Sequence, residues 1–161
     1  MTQLVLPRKW LVRAHGQDIV LARRSNERPG HVIMKALLWA LYLPAYPAMT
    51  VERAIGDRYK PDVVALDEQN QPRFWGEAGQ VSSTKLRSLL RRYPSTHLAL
   101  ARWQGHLELM TTLVQQNLDQ HPRTAPVDLL LFPADSIERF IDHQGYITIT
   151  HTDLEWVRIA S

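Results

Sequence analysis

Two acidic residues, Asp62 and Glu77, are the side chains of this sequence with the clearest potential for metal chemistry. Asp62 follows a proline at the start of an apolar run, and Glu77 lies near the end of the next run. The residues between the runs, 67–72, are polar or turn-forming, which predicts that the runs are adjacent antiparallel strands. Such strands could bring the two carboxylates together. Oxygen ligands of this kind are those that Mg²⁺ prefers, and Mn²⁺ is the alternative ion.

A divalent ion held by these carboxylates would suit phosphodiester hydrolysis. Such an ion lowers the pKa of the attacking water and offsets the negative charge on the leaving oxygen. The sequence therefore predicts a metal-dependent phosphodiesterase in which Asp62 and Glu77 are both metal ligands and catalytic residues.

A polar stripe on the first predicted helix supplies a third acid. Glu27, His31 and Lys35 follow one another at steps of four, which places them on one face of an otherwise apolar helix. Glu27 is therefore a candidate catalytic residue that assists through a water molecule. An alternative explanation is open, in which Glu27 stabilises the first turn of the helix and the stripe is exposed to solvent.

The elements that must position these residues begin with a hairpin and a helix. Two strand-like runs, Gln3–Arg13 and Ile19–Arg23, flank a turn sequence and predict an opening hairpin. Ser25 or Asn26 is the expected N-cap of a helix that ends near Leu43. The next predicted elements are three strands, at Val51–Ile55, Asp62–Leu66 and Arg73–Glu77.

The second half of the chain alternates between helices and strands. Ser82 or Ser83 is the expected cap of a helix whose basic face carries Lys85, Arg87 and Arg91. The later predicted elements are helix Thr84–Tyr93, strand Thr96–Trp103, helix His106–Leu118, strand Val127–Phe132, a short helix from Asp135 to His143, and a closing hairpin of Tyr146–Thr150 with Glu155–Ile159. This order predicts one α/β domain over residues 1–161.

The composition narrows the class of protein. The chain has 161 residues, of which 45% are hydrophobic and 22% are charged, as is typical of one globular domain. The absence of cysteine excludes disulfides and cysteine-based zinc sites, and no apolar run is long enough to cross a bilayer. The N-terminal residues lack the features of a secretion signal, so we expect a cytoplasmic protein without membrane contact. Walker, dinucleotide-binding and serine-nucleophile motifs are also absent.

The charge distribution favours a phosphate-bearing partner. Residues 1–102 carry 16 Lys or Arg against 8 Asp or Glu, whereas residues 103–161 carry 3 against 8. Fifteen of the 19 basic residues are arginine, whose planar guanidinium suits phosphate. We therefore expect Lys35, Arg87 and Arg91 to contact nucleic acid, although a basic surface that only meets solvent would have the same composition.

Short motifs around the acidic pair resemble the PD-(D/E)XK phosphodiesterase superfamily. Pro61-Asp62 precedes one predicted strand and Glu77-Ala78-Gly79 ends the next, within an order of helix, three strands, helix and strand. The chain is more closely similar to one branch, the bacterial YaeQ family. Four segments carry this similarity and together cover most of the chain: Ala22-Arg23 with Glu27 and Trp39, Pro61-Asp62, Trp75-Gly76-Glu77-Ala78-Gly79, and Gly145 to Trp156.

The resemblance implies a fold and a metal site. The implied fold is a restriction-endonuclease-like α/β core, with the order αβββαβ and a mixed sheet flanked by helices, to which the predicted N- and C-terminal β-hairpins are added. The resemblance also places Asp62 and Glu77 at the positions that hold metal in active relatives.

Two positions depart from the pattern of active relatives. Gly79 stands where the superfamily carries a lysine that positions water or stabilises the transition state, and YaeQ-like sequences share this glycine. Lys85 or Arg87 on the next helix is a candidate replacement, unless that face of the helix only meets solvent. Gly30 stands where the family tends to have another acid, whereas Gln80 is available to orient water.

Two functions remain open on the sequence alone. The first is a Mg²⁺-dependent nuclease that uses the candidate residues above. The alternative is a non-catalytic nuclease-like domain that binds nucleic acid or a protein partner. Under the first, Asp62 and Glu77 should converge and crowding should raise their pKa values, whereas under the second they should lie apart or be held by arginine. The oligomeric state is left open.

Overall fold

A six-stranded mixed sheet with helices on both faces organises the chain. The computed structural model describes residues 6–160. The sheet has the strand order β3-β4-β5-β6-β7-β8, in which β5, β6 and β7 are parallel and the other pairs are antiparallel. The strands are β3 Thr50–Val51, β4 Val63–Leu66, β5 Pro72–Ala78, β6 His97–Trp103, β7 Val127–Phe132 and β8 Glu155–Ile159.

The helices form two layers around this sheet. Helix α1, Pro29–Tyr42, packs on one face together with short helix α4, Ser136–Phe140. Helices α2, Ser83–Arg92, and α3, Glu108–Gln120, pack on the other face. Buried apolar residues form a separate core cluster on each side of the sheet. The observed order of helix, three strands, helix and strand, from α1 to β6, is the predicted one.

The opening hairpin is confirmed as a separate two-stranded sheet. Strand β1, Lys9–Ala14, pairs antiparallel with β2, Gln17–Ala22. Its two turn residues, His15 and Gly16, both have positive φ, as two-residue hairpin turns require. Residues 3–5 of the predicted first strand lie outside the described residues.

The start of α1 differs from the prediction. Arg28 occupies the N-cap position without a side-chain hydrogen bond, so neither Ser25 nor Asn26 caps the helix. The physical reason is Pro29, because a proline at the first helical position lacks only an N–H that would have no partner there. Glu27 therefore lies in the loop before the helix, not in its first turn.

The hairpin of β4 and β5 is confirmed, and it positions the acidic pair. The Asp67 carboxylate caps the connecting turn by accepting hydrogen bonds from the backbone amides of Gln69 and Gln71, each at 2.9 Å. The predicted strand Val51–Ile55 shrinks to the two residues of β3. Glu52 ends that strand because its backbone, at φ 54°, leaves the extended conformation.

The predicted closing hairpin is wrong. Residues 146–150 form no regular strand and make only single bridges, between Tyr146 and Arg13 and between Ile147 and Ile141. Strand β8 instead pairs with β7 along the open edge of the sheet, where it satisfies backbone groups that would otherwise be unpaired. Helix α4 ends at Phe140, before the predicted His143, and the Asp135 side chain makes no capping hydrogen bond. Within residues 6–160, no helix is both long and apolar enough to cross a membrane.

Candidate functional site

The antiparallel pairing of β4 and β5 brings Asp62 and Glu77 together. Val63 pairs with Gly76, so the register continued by one residue sets Asp62 opposite Glu77. The Asp62 amide donates a hydrogen bond to the Gly76 carbonyl at 3.2 Å, and the Ala78 amide donates to Asp62 Oδ2 at 2.8 Å. The predicted meeting of the two carboxylates is therefore present in the structure.

Lys85 brings a positive charge to this pair from the first turn of α2. Ser82 caps the helix by accepting a hydrogen bond from the Lys85 amide at 3.1 Å. The Lys85 ammonium lies 3.0 Å from Glu77 Oε1, and the indole Nε1 of Trp75 donates to the same oxygen at 2.8 Å. Of the two candidate replacements for a lysine at position 79, the structure thus brings Lys85 to the glutamate.

The polar stripe of α1 faces the acidic pair. His31 Nδ1 lies 2.6 Å from Glu27 Oε2, and His31 Nε2 lies 3.5 Å from Asp62 Oδ1. The Lys35 ammonium lies 2.5 Å from Glu27 Oε2 and also contacts the Glu52 carboxylate. The interpretation of the stripe as exposed to solvent is therefore wrong. We call these residues together the Asp62–Glu77 cluster: Glu27, His31, Lys35, Glu52, Asp62, Glu77 and Lys85.

The residues expected to contact nucleic acid are not on one surface. Lys35 is only 1% exposed and is held between two carboxylates, so the structure does not place its ammonium where a nucleic-acid backbone could reach it. Arg87 and Arg91 are exposed, but Arg87 is two residues from Lys85 and therefore about 200° around the helix. They line a polar cleft of about 360 Å³ between α2 and α3, together with Gln116, Asn117, Gln120 and His121.

The two central carboxylates have opposite pKa shifts. Burial raises the pKa of Glu77 to about 7, and the negative charge of Asp62 adds to this effect, although hydrogen bonds from Trp75 and Lys85 oppose it. Burial also raises the pKa of Asp62, but hydrogen bonds from His31 and the Ala78 amide outweigh it, and the net pKa lies below the usual range. Near neutral pH, Asp62 is therefore ionised, whereas Glu77 is partly protonated.

His31 connects the outer acid to the inner pair. Its hydrogen bond with Asp62 raises the pKa of the imidazole, burial opposes this, and Glu27 adds to the increase. The pKa of Glu27 is lowered: burial would raise it, but hydrogen bonds from Lys35 and His31 dominate. Glu27 therefore acts on Asp62 through the His31 ring, which differs from the water-mediated role expected from the sequence.

The donor atoms of this cluster suit a hard divalent ion at two carboxylates. Mg²⁺ is commonly held by one or two carboxylates and otherwise keeps water molecules. Asp62 and Glu77 provide such a pair, whereas Glu27 is held by Lys35 and His31. Across residues 6–160, no group of three or more acidic or histidine side chains is arranged to hold a metal ion. Gln80 is exposed beyond Gly79, and no contact with the acidic pair is found for it among the described residues.

A second buried acid, Asp128, was not among the residues predicted from the sequence. Asp128 in β7 is fully buried and accepts hydrogen bonds from Tyr42 Oη at 2.6 Å and from Arg158 at 2.8 and 3.0 Å. Its Oδ2 also lies 2.7 Å from His97 Nε2, and His97 Nδ1 lies 2.9 Å from Tyr46 Oη. The available signal was a lone aspartate in the apolar run VDLLLF. We call Tyr42, Tyr46, His97, Asp128 and Arg158 the Asp128 network.

The Asp128 network and the Asp62–Glu77 cluster lie at opposite ends of the parallel strands. His97 and Asp128 stand at the start of β6 and β7, whereas Glu77 stands near the end of β5. Burial raises the pKa of Asp128, but hydrogen bonds from His97, Arg158 and Tyr42 outweigh it, so the pKa lies well below its usual range. The network connects α1, β6, β7 and β8, so we interpret it as a structural feature that holds these elements together.

Comparison with known proteins gives a fold but no sequence family. No protein-family model and no curated protein matches the sequence. Solved structures of YaeQ proteins are similar to the chain. The YaeQ protein from Xanthomonas axonopodis pv. citri is 18% identical, with a TM-score of 0.53 over 71% of this chain and 62% of that protein. The YaeQ protein from Pseudomonas syringae is 19% identical, with a TM-score of 0.57 over 77% of this chain and 65% of that protein. The chain thus spans less than two thirds of either relative, and it shares the fold of YaeQ proteins.

Proposed function

We propose that this chain is a YaeQ-like member of the PD-(D/E)XK superfamily, with a restriction-endonuclease-like core, and that it is a metal-dependent phosphodiesterase acting on nucleic acid. The observation that carries the proposal is the position of Lys85, whose ammonium lies 3.0 Å from the Glu77 carboxylate while Asp62 stands opposite on the neighbouring strand. The Lys85 ammonium would supply, beside the two converging carboxylates, the positive charge that is missing because position 79 is a glycine and not a lysine.

The proposed roles follow from these contacts. Asp62 and Glu77 would hold Mg²⁺ or Mn²⁺, and the bound ion would supply a water of lowered pKa and offset charge on the leaving oxygen. Lys85 holds a positive charge beside Glu77, where a scissile phosphate would lie. His31 orients Asp62, and Glu27 in turn orients His31. Gln80 stays a candidate for orienting water.

The Arg87–Arg91 cleft is the proposed contact with the nucleic-acid backbone outside the catalytic site. Both guanidinium groups are exposed, and the amide side chains across the cleft add hydrogen-bond donors. Because the cleft lies around the helix from Lys85, it would hold phosphates at a distance from the scissile bond. Its contribution should fall as the salt concentration rises.

A second candidate function is a non-catalytic domain of the same fold. The observation that favours it is that both central carboxylates already have protein partners: Asp62 with His31 and Ala78, and Glu77 with Trp75 and Lys85. Such a domain would bind nucleic acid or a protein through its surface and would use the cluster for stability.

Metal binding and cleavage separate the two candidates. Calorimetric titration with Mg²⁺ and Mn²⁺ should show binding to the wild type that Asp62→Asn and Glu77→Gln each abolish. The same samples are then incubated with single- and double-stranded DNA and RNA. Metal-dependent cleavage in the wild type alone supports the phosphodiesterase. No metal binding at millimolar concentration would contradict the phosphodiesterase and favour the non-catalytic binding domain.

Lys85 variants test the observation on which the proposal stands. Lys85→Met should lower the cleavage rate by about 10²- to 10³-fold, the range found when one group that stabilises the transition state is removed. Lys85→Arg should retain part of the activity, because it keeps the positive charge. Lys60→Met is the matched control, since Lys60 is exposed. Equal rates for the two methionine variants would show that Lys85 has no catalytic role.

A further inference from the structure

A small apolar pocket lies at the same end of the sheet as the Asp62–Glu77 cluster, and the proposed chemistry makes no use of it. Its volume is about 300 Å³, at the lower end of the range for ligand pockets. It is formed by the start of α1, the end of β6 and the region of α4. The residues on which the argument depends are Pro29, Gly30, Ile33, Trp103, Gln104 and Ile137.

Gly30 allows the indole of Trp103 to lie against α1. A Cβ atom at position 30 would stand 3.1 Å from Trp103 Nε1, closer than ordinary van der Waals contact, so any larger residue would push the ring away. The Trp103 ring also packs against Phe132, with 6.1 Å between the ring centroids. A half-buried indole is thereby held in the wall of the pocket. This gives a structural reason for glycine at a position where the resembled family tends to have an acid.

The pocket adjoins the acidic cluster through two chain segments. On α1, Gly30 directly precedes His31, whose ring reaches Asp62. On the sheet, the Gly79 amide donates to the Ala101 carbonyl at 2.9 Å, and Trp103 follows two residues later, about 6–7 Å farther along the strand. The pocket and the cluster therefore lie at the same end of the sheet.

We propose that this pocket binds one unpaired base of a nucleic acid whose backbone lies at the Asp62–Glu77 cluster. The proposal rests on the proposed function and names its substrate class as single-stranded or locally unpaired nucleic acid. A pocket of this volume admits one planar heterocycle, and the indole provides a surface for stacking. Gln104 is exposed at the rim, where its amide can donate to and accept from the edge of a base.

Duplex nucleic acid does not fit this arrangement. A base inside a duplex is paired and stacked, and it must be extruded before it can enter a pocket. An aliphatic ligand would fill the apolar walls equally well, but it has no phosphate to place at the proposed metal site at the same end of the sheet. A nucleotide has both parts, an apolar ring and a phosphate, in one molecule.

The test measures binding without catalysis. Anisotropy of a labelled, mixed-sequence pentadeoxynucleotide is followed with the full chain in EDTA, beside an abasic oligomer of the same length and charge. The base-containing oligomer should bind about 5- to 150-fold more tightly, as expected for stacking of one base on an aromatic side chain. Its complementary duplex should lose most of this advantage. Equal affinity for the base-containing and abasic oligomers would overturn the proposal.

Variants assign the effect to the pocket. Trp103→Leu should abolish the preference for bases, whereas Trp156→Leu, which removes another half-buried indole elsewhere, should retain it. Gly30→Ala keeps Trp103 but crowds its ring, so it should weaken the preference for bases by a smaller factor. This variant keeps the proposal testable if Trp103→Leu fails to fold. The same preference in Trp103→Leu and Trp156→Leu would overturn the proposal.

The pocket and the phosphodiesterase can fail separately. Preference for bases in EDTA, without cleavage in Mg²⁺ or Mn²⁺, would support the pocket and contradict the enzyme. Metal-dependent cleavage that Trp103→Leu leaves unchanged, with no preference for bases, would support the enzyme and contradict the pocket.

Discussion

A carboxylate is buried at each end of the central sheet, and the pKa values of these two carboxylates are shifted in opposite directions. Asp128 is fully buried and has a lowered pKa, because Tyr42, His97 and Arg158 all contact it. Glu77 is nearly as buried, yet its pKa rises to about 7, because burial and the negative charge of Asp62 outweigh the hydrogen bonds from Trp75 and Lys85. Burial raises the pKa in both places, so the partners determine the sign of the net shift.

This difference separates a structural site from a candidate reactive one. In the Asp128 network a single carboxylate meets a guanidinium, an imidazole and a hydroxyl, so its charge is balanced within the fold. In the Asp62–Glu77 cluster the two neighbouring carboxylates oppose each other's ionisation, although His31 and Lys85 contact them. A raised pKa next to a second acid is common at functional sites, and for this reason the cluster is the candidate site.

The largest expected effect comes from breaking the balanced site. Asp128→Asn keeps the shape of the side chain but removes the charge that Arg158 contacts, leaving a cation without its partner. The Arg158 side chain is 46% exposed and can be solvated, so the loss comes mainly from the hydrogen bonds of Tyr42 and His97 to the buried charge, and it should total about 3 kcal/mol. Urea unfolding at pH 7 measures the loss.

An exposed ion pair provides the control for this variant. Asp135 lies 3.7 Å from Arg139 on the surface, so Asp135→Asn should change the free energy of unfolding by less than about 0.5 kcal/mol. A loss below about 1 kcal/mol in Asp128→Asn would show that the network is looser than its hydrogen bonds indicate.

The next effect is the pH dependence of the unbalanced site. The pKa of Glu77 rises from 4.5 in the unfolded chain to about 7 in the folded one, so the folded state binds more protons between these values. Stability should therefore be greatest below about pH 4.5 as far as Glu77 is concerned, and it should fall as the pH rises towards 7. The lowered pKa of Asp128 has the opposite sign, because its contribution is present above 3.8 and is lost as the pH falls through the folded value.

Glu77→Gln isolates the contribution of this glutamate. Relative to the wild type, the variant should gain about 2 kcal/mol of stability between pH 5 and pH 8, because it cannot ionise. Urea unfolding of both proteins at the two pH values gives the difference. Glu138→Gln is the control, since Glu138 is exposed on α4 and should show no such change. Parallel pH profiles of wild type and Glu77→Gln would contradict the raised pKa.

The pair at the centre of the candidate site could be predicted from the sequence because its geometry is local. A polar turn between two apolar runs forces antiparallel pairing, and that pairing sets Asp62 opposite Glu77. The cap at Ser82 and the spacing of α2 likewise follow from short-range rules. These short-range rules do not predict the direction of α2 across the sheet. Lys85 and Arg87 are therefore equivalent candidates for the missing lysine on the sequence alone, and only the structure distinguishes them.

The rest of the site depends on contacts between distant parts of the chain. The stripe of His31 and Lys35 has the spacing of a solvent-exposed face, and only the position of Glu52 and Asp62 against α1 shows that Lys35 is buried and His31 half-buried. The partners of Asp128 are 30 or more residues away, so no pattern around it identifies them. The pairing of β8 with β7 could not be predicted for a similar reason. A closing hairpin would require the same alternation of side chains in β8, so the pattern does not identify the partner strand.

The smallest expected effect tests whether the Asp128 network acts as a unit. Tyr46 contacts His97 Nδ1 at 2.9 Å and Asp128 only through that ring, and burial raises the pKa of Tyr46, so it remains a hydroxyl donor at neutral pH. Tyr46→Phe should cost about 1 kcal/mol in urea unfolding, the usual contribution of one hydrogen bond. Tyr146→Phe, at an exposed tyrosine, should cost less. If Tyr46 fixes the His97 ring so that Nε2 donates to Asp128, the cost of Tyr46→Phe should shrink in an Asp128→Asn background. An unchanged cost in that background would mean that Tyr46 supports only His97, and that the balance at Asp128 rests on the three groups that contact it directly.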